Sequence, residues 1–77
     1  MFTLYLTLRG RAIEPSTYES FDEMGDGLAK ALGSAQMSVH PRVMTFLLAL
    51  MFSDLRGHRT WTWVAEDYEI FVAREDP

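Results

Sequence analysis

Between Val43 and Phe52 the chain reads Val-Met-Thr-Phe-Leu-Leu-Ala-Leu-Met-Phe, a run in which Thr45 is the only polar side chain. Pro41, just ahead of it, suits the first turn of a helix, where its fixed φ is favourable and its missing amide is not needed. Gly57, just behind it, is a natural stop. These signals predict a helix from Pro41 to about Leu55, capped by His40 or Ser38, since Pro41 drives His40 away from helical angles. Such a helix is apolar nearly all round and demands cover on every side.

A chain of 77 residues has little cover to give. A domain of this length buries only about 60–65% of the surface its unfolded chain exposes, and one core of that size contributes about 3–5 kcal/mol. Disulfides are excluded because there is no cysteine. With His40 and His58 the only imidazoles, no metal or cofactor site is expected either. The remaining staple is another chain.

Period-two patterning marks the strands. Phe2, Leu4, Leu6 and Leu8 alternate with Thr3, Tyr5, Thr7 and Arg9, and Gly10 ends the alternation. Residues Arg11 to Pro15 read as a loop. Near the C-terminus, Thr60–Val64 and Tyr68–Ala73 flank Ala65, Glu66 and Asp67 in a hairpin pattern. A register that pairs Trp63 with Ile70 and Trp61 with Val72 puts both tryptophans on one face with two aliphatics.

Between these strands lies a first helix. Ser16 with Glu19 and Ser20 with Glu23 each fit a capping box. Phe21, Met24, Leu28, Ala31 and Leu32 then recur at helical spacing, and Gly33 is placed as a C-cap. Gly25 and Gly27 each cost about 0.8–1 kcal/mol in a helix interior, which points to close approach of another backbone.

The resulting fold class is α+β: one domain over residues 1–77, in the order β-α-α-β-β, with both helices on one face of a three-stranded antiparallel or mixed sheet. Phe2, Leu4, Leu6, Leu8, Trp61, Trp63, Ile70 and Val72 form the covered face. Two helices return the chain to the end it left, so the strand at Thr60 should run antiparallel to the first strand. Whether the first strand lies beside the second or the third stays open.

One sheet face and one helix cover about half of the second helix, and contiguous exposed apolar surface marks an interface. Val43, Phe46, Leu47, Leu50 and Met51 are therefore the expected partner-binding residues, with polar replacement of Phe46 and Leu47 expected to release the partner and spare the fold. The acidic positions Glu19, Asp22, Glu23 and Asp26 of the first helix are a second candidate surface. The partner is this chain itself, as a homodimer or larger assembly, or a host protein. An alternative is an anion or nucleic-acid rim formed by Arg9, Arg11, Arg56, His58 and Arg59, if the loops carrying them share one end of the sheet. Against nucleic acid stands the charge: 7 basic residues face 11 acidic ones, a net of −4.

No nucleophile and oriented base occur at recognisable spacing, so no catalytic residues are expected. The apolar run is shorter than the about 20 residues a bilayer span needs. No basic segment precedes an apolar one at the N-terminus. The chain thus reads as a complete, cytoplasmic, non-membrane product. By size and acidity it is similar to phage-encoded or bacterial accessory modulators of host proteins, an analogy of composition alone.

Overall fold

The computed structural model describes residues 1–37 and 39–75; Ser38, one of the two candidate caps, and Asp76 lie outside the described residues. Among the described residues the fold is α+β, with two helices and an antiparallel sheet of five strands instead of three. The elements are β1 (Phe2–Leu8), β2 (Arg11–Ala12), β3 (Ser16–Tyr18), α1 (Phe21–Ser34), α2 (Pro41–Gly57), β4 (Thr60–Val64) and β5 (Tyr68–Arg74).

Of the two additional strands, β2 comes from the segment expected to be a loop and β3 from the stretch after it, where Ser16 is one of the candidate helix caps. After Leu8 the chain reverses through Arg9 and Gly10, both at positive φ (51° and 79°), the geometry of a two-residue hairpin turn. The return arm pairs Leu8 with Arg11 and Thr7 with Ala12, then Leu4 with Ser16, Thr3 with Thr17 and Phe2 with Tyr18. Between the two halves Ile13, Glu14 and Pro15 face only Tyr5 and Leu6, so the arm carries one extra residue and bulges. The Ile13 amide still donates to the Leu6 carbonyl at 2.8 Å. This consumes Ser16 in a strand, and Ser20 caps α1 by accepting from the Glu23 amide at 3.1 Å.

The return arm also changes the sense of the last strands. The sheet runs β2-β1-β5-β4, with β3 on the same edge of β1 as β2. β1 lies beside β5, which settles the open neighbour question, and β4 and β5 pair antiparallel. Being antiparallel to β5, β4 runs in the same direction as β1, two strands away. The expectation that it opposes β1 fails because the unforeseen arm adds one reversal.

The predicted β4–β5 register holds: Trp63 faces Ile70 and Trp61 faces Val72. All eight expected residues face the helices. Leu4, Leu6, Trp61, Ile70 and Val72 are buried, with Phe2, Leu8 and Trp63 packed at the margin. Met24, Leu28 and Leu32 come down from α1 and Leu47, Met51 and Leu55 from α2. Full burial of such a side chain is worth about 1.5–3 kcal/mol, so this shared layer holds helices and sheet together. Trp61 and Trp63 stack at 6.1 Å between centroids.

Both helix ends differ in detail from expectation. Gly33 lies inside the last turn of α1; Met37 donates to the Leu32 carbonyl (2.9 Å) and Gln36 to that of Gly33 (3.0 Å). Gln36 takes the left-handed position at φ 58°, closing a Schellman motif. His40 caps α2, its Nδ1 accepting from the Arg42 amide at 3.1 Å. At its other end α2 closes at Gly57 with His58 as C-cap. The glycines of α1 admit side chains where a backbone was expected. An added Cβ at Gly25 would meet Leu48 at an ordinary 3.6 Å, whereas one at Gly27 would strike the Tyr18 phenol.

Candidate partner-binding surface

The sheet position decides which side of α2 is left bare. Leu47, Met51 and Leu55 recur every four residues and point at the sheet, fully or almost fully buried. Leu48 and Phe52, also four apart, face α1: Leu48 lies over Gly25, and the Phe52 ring meets Phe21 edge-on at 5.2 Å. At about 100° per residue, Val43 and Leu50 fall on the flank opposite Leu48 and Phe52, with Phe46 alongside. That flank is exposed: Val43 at 40%, Phe46 at 58% and Leu50 at 37%. The apolar surplus expected from the sequence is therefore present, but as a narrower stripe. Leu47 and Met51 have no exposed surface and belong to the core, so neither can touch a partner.

The acidic residues sit elsewhere. Glu19, Asp22, Glu23 and Asp26 are all exposed. Asp22 and Asp26 rim a shallow groove between the helices, floored by Gly25, Ala29 and Leu48 beside Phe21. This groove lies on the α1 side of α2, so the acidic set and the apolar stripe are not one surface.

The arginine rim is not assembled. Leu8, at one end of β1, stands beside Tyr68, and Phe2, at the other end, stands beside Arg74. Arg9 and Arg11 follow Leu8, whereas Thr60 pairs with Ala73 near the Phe2 end, carrying Arg56, His58 and Arg59 with it. The seven residues of β1 separate the two clusters by about 20 Å. Arg9 is also engaged: its amide donates to the Asp67 carbonyl (2.8 Å) and its guanidinium to that of Ala35 (3.2 Å). Arg56 borders a small apolar crevice formed by Phe2, Phe21, Phe52 and Leu55.

The uncovered sheet face is the threonine-rich one expected. Tyr5 and Phe71 are cross-strand partners in edge-to-face contact at 5.5 Å, among Thr3, Thr7 and Thr62. Neither arginine cluster lies among them, so the aromatic pair and the positive charge that nucleic-acid binding would combine stay apart. Among the described residues no group of His, Asp and Glu could hold a metal ion, and no helix is long and apolar enough to cross a membrane.

A further surface is the free side of β4, which ends the sheet. The Ala65 amide donates to Tyr68 (2.9 Å) and the Arg74 amide to Arg59 (2.7 Å). Bonded pairs alternate along an antiparallel ladder. Trp61 and Trp63 therefore turn their backbone groups to β5, and Thr60, Thr62 and Val64 turn theirs outward. The signal lies in the composition: Thr60–Val64 has no proline and no charge, two of the devices that normally blunt an edge. Comparison with known proteins gives no match to a family model, a curated protein or a solved structure.

Proposed function

We propose that the chain is a non-catalytic protein–protein interaction module that self-associates through the outer flank of α2. In this reading it acts, as phage-encoded or bacterial accessory proteins do, by engaging a host protein. The observation that carries the reading is the exposed row of Val43, Phe46 and Leu50 on the flank of α2 that faces neither sheet nor α1; on the α1 side Leu48 lies over Gly25, while Phe52 meets Phe21 and stays 52% exposed. Three large apolar side chains in one row are costly to leave in water and ready to be desolvated by another protein. The anion-binding reading loses its geometric basis, since its two clusters stand at opposite ends of the sheet.

Sedimentation of the wild type and of the double variant Phe46→Asp, Leu50→Asp over a range of concentrations tests this. The expected result is reversible self-association of the wild type, weakened at least about ten-fold in the variant, because each apolar anchor is worth more than about 1.4 kcal/mol when desolvated. Both side chains lie outside the core, so the circular dichroism spectrum should not change. Equal association of the two proteins would refute the assignment to this flank.

A further inference from the structure

The free edge of β4 and the bare flank of α2 lie on the same side of the molecule. β4 is the last strand of the sheet, and α2 packs over it with Val43 and Leu50 turned away from α1. We propose that the occupant of this side is a second copy of the chain, joined β4 to β4 in antiparallel register so that the two sheets become one.

The edge is self-complementary about Thr62. A two-fold axis through Thr62 sets Thr60 opposite Val64 of the second copy and Trp61 opposite its Trp63. The outward backbone groups belong to Thr60, Thr62 and Val64. These are the residues that such an axis pairs as hydrogen-bonded partners: Thr62 with Thr62, and Thr60 with Val64 on either side. A one-residue shift would instead oppose inward-turned groups to outward-turned ones and break every bond. The side chains agree with this register. Thr62 meets Thr62 and Thr60 meets Val64 on the open face, Trp61 meets Trp63 on the helix face, and no charge opposes a like charge. Two symmetry-related contacts close the assembly at a dimer. The α2 helices of the two copies then flank this junction on one face of the joined sheet. Val43, Phe46 and Leu50 of each copy fill the seam between them.

The α2 half of this interface rests on the function proposed above; the β4 half stands on its own observations, and the tests separate them. Thr62→Pro removes an amide that the protomer's own ladder does not use, a place where an edge strand accepts proline. Thr62→Lys keeps the amide but sets two lysines face to face. The readouts are solution mass by light scattering and amide exchange at Thr62 and Val64. In the wild type, mass should double with concentration while these amides become at least ten-fold more protected. Thr62→Pro should stay monomeric, and Thr62→Lys should associate at least ten-fold more weakly, both with native circular dichroism. Should Thr62→Pro not fold, Thr62→Lys decides alone. A dimer that survives Thr62→Lys but is lost in Phe46→Asp overturns the strand pairing and leaves the α2 reading in place. A wild type that is monomeric at millimolar concentration overturns the dimer altogether.

Discussion

Leu47→Ala should lower stability by about 3 kcal/mol, within the range measured for buried leucines, while Phe46→Ala, one residue earlier, should change it by less than about 0.5 kcal/mol. The difference follows from placement alone. Leu47 has no exposed surface and packs within the layer shared by α2, Met24, Leu28 and the strands, whereas Phe46 is 58% exposed. Loss of Leu47 removes transfer energy and leaves a cavity that a close-packed core only partly closes. In a domain of this size about 3 kcal/mol is most of the margin. It should appear as a fall in Tm of about 12–24 °C by circular dichroism. Similar Tm values for the two variants would mean that α2 sits on the sheet through a different stripe.

Gly27→Ala should destabilise the protein by about 1–2 kcal/mol, although alanine is favoured over glycine in a helix by about 1 kcal/mol. The added methyl would lie 2.8 Å from Tyr18 Cε1 and nearer still to Cζ and Oη. The phenol cannot retreat freely, because the Tyr18 backbone is held opposite Phe2 in the sheet and the ring packs against the core margin. It must swing outward and give up burial, or α1 must lift. Gly25→Ala is the internal control: its Cβ meets Leu48 at an ordinary van der Waals distance, so the helix-propensity gain of about 0.5–1 kcal/mol should survive. In a Tyr18→Ala background Gly27→Ala should become stabilising as well. Equal gains at both glycines in the wild-type background would show that the Tyr18 ring gives way at no cost.

What could be read from the sequence follows a physical line. Strands half-buried in one layer must alternate, and the alternation of Phe2 to Leu8 and the agreement of Trp61 and Trp63 with Ile70 and Val72 identified both face and register. The arm Arg11–Tyr18 buries almost nothing, is bulged at Ile13 to Pro15, and so carries no hydrophobic period to detect. Its turn was also masked, since Arg9 occupies a left-handed position normally given to asparagine, aspartate or glycine. Without that arm the direction of β4 comes out reversed, and two arginine clusters that the sheet keeps apart come out joined. For α2, a helix apolar on every side does not announce which stripe meets the sheet. Its sequence alone does not separate Leu47 and Met51 from Val43, Phe46 and Leu50; the positions of Gly25, Phe21 and β4 separate core from surface.

In the proposed dimer another copy of the chain covers the outer flank of α2. The absence of any native cysteine allows a direct measurement of it. Leu50→Cys places a unique thiol on that flank, and its rate of modification by a maleimide can be followed at micromolar and near-millimolar protein. Modification is expected to be at least about ten-fold slower at the higher concentration, as the thiol becomes buried in the dimer seam. Equal rates at both concentrations, in a protein of native circular dichroism, would contradict that dimer.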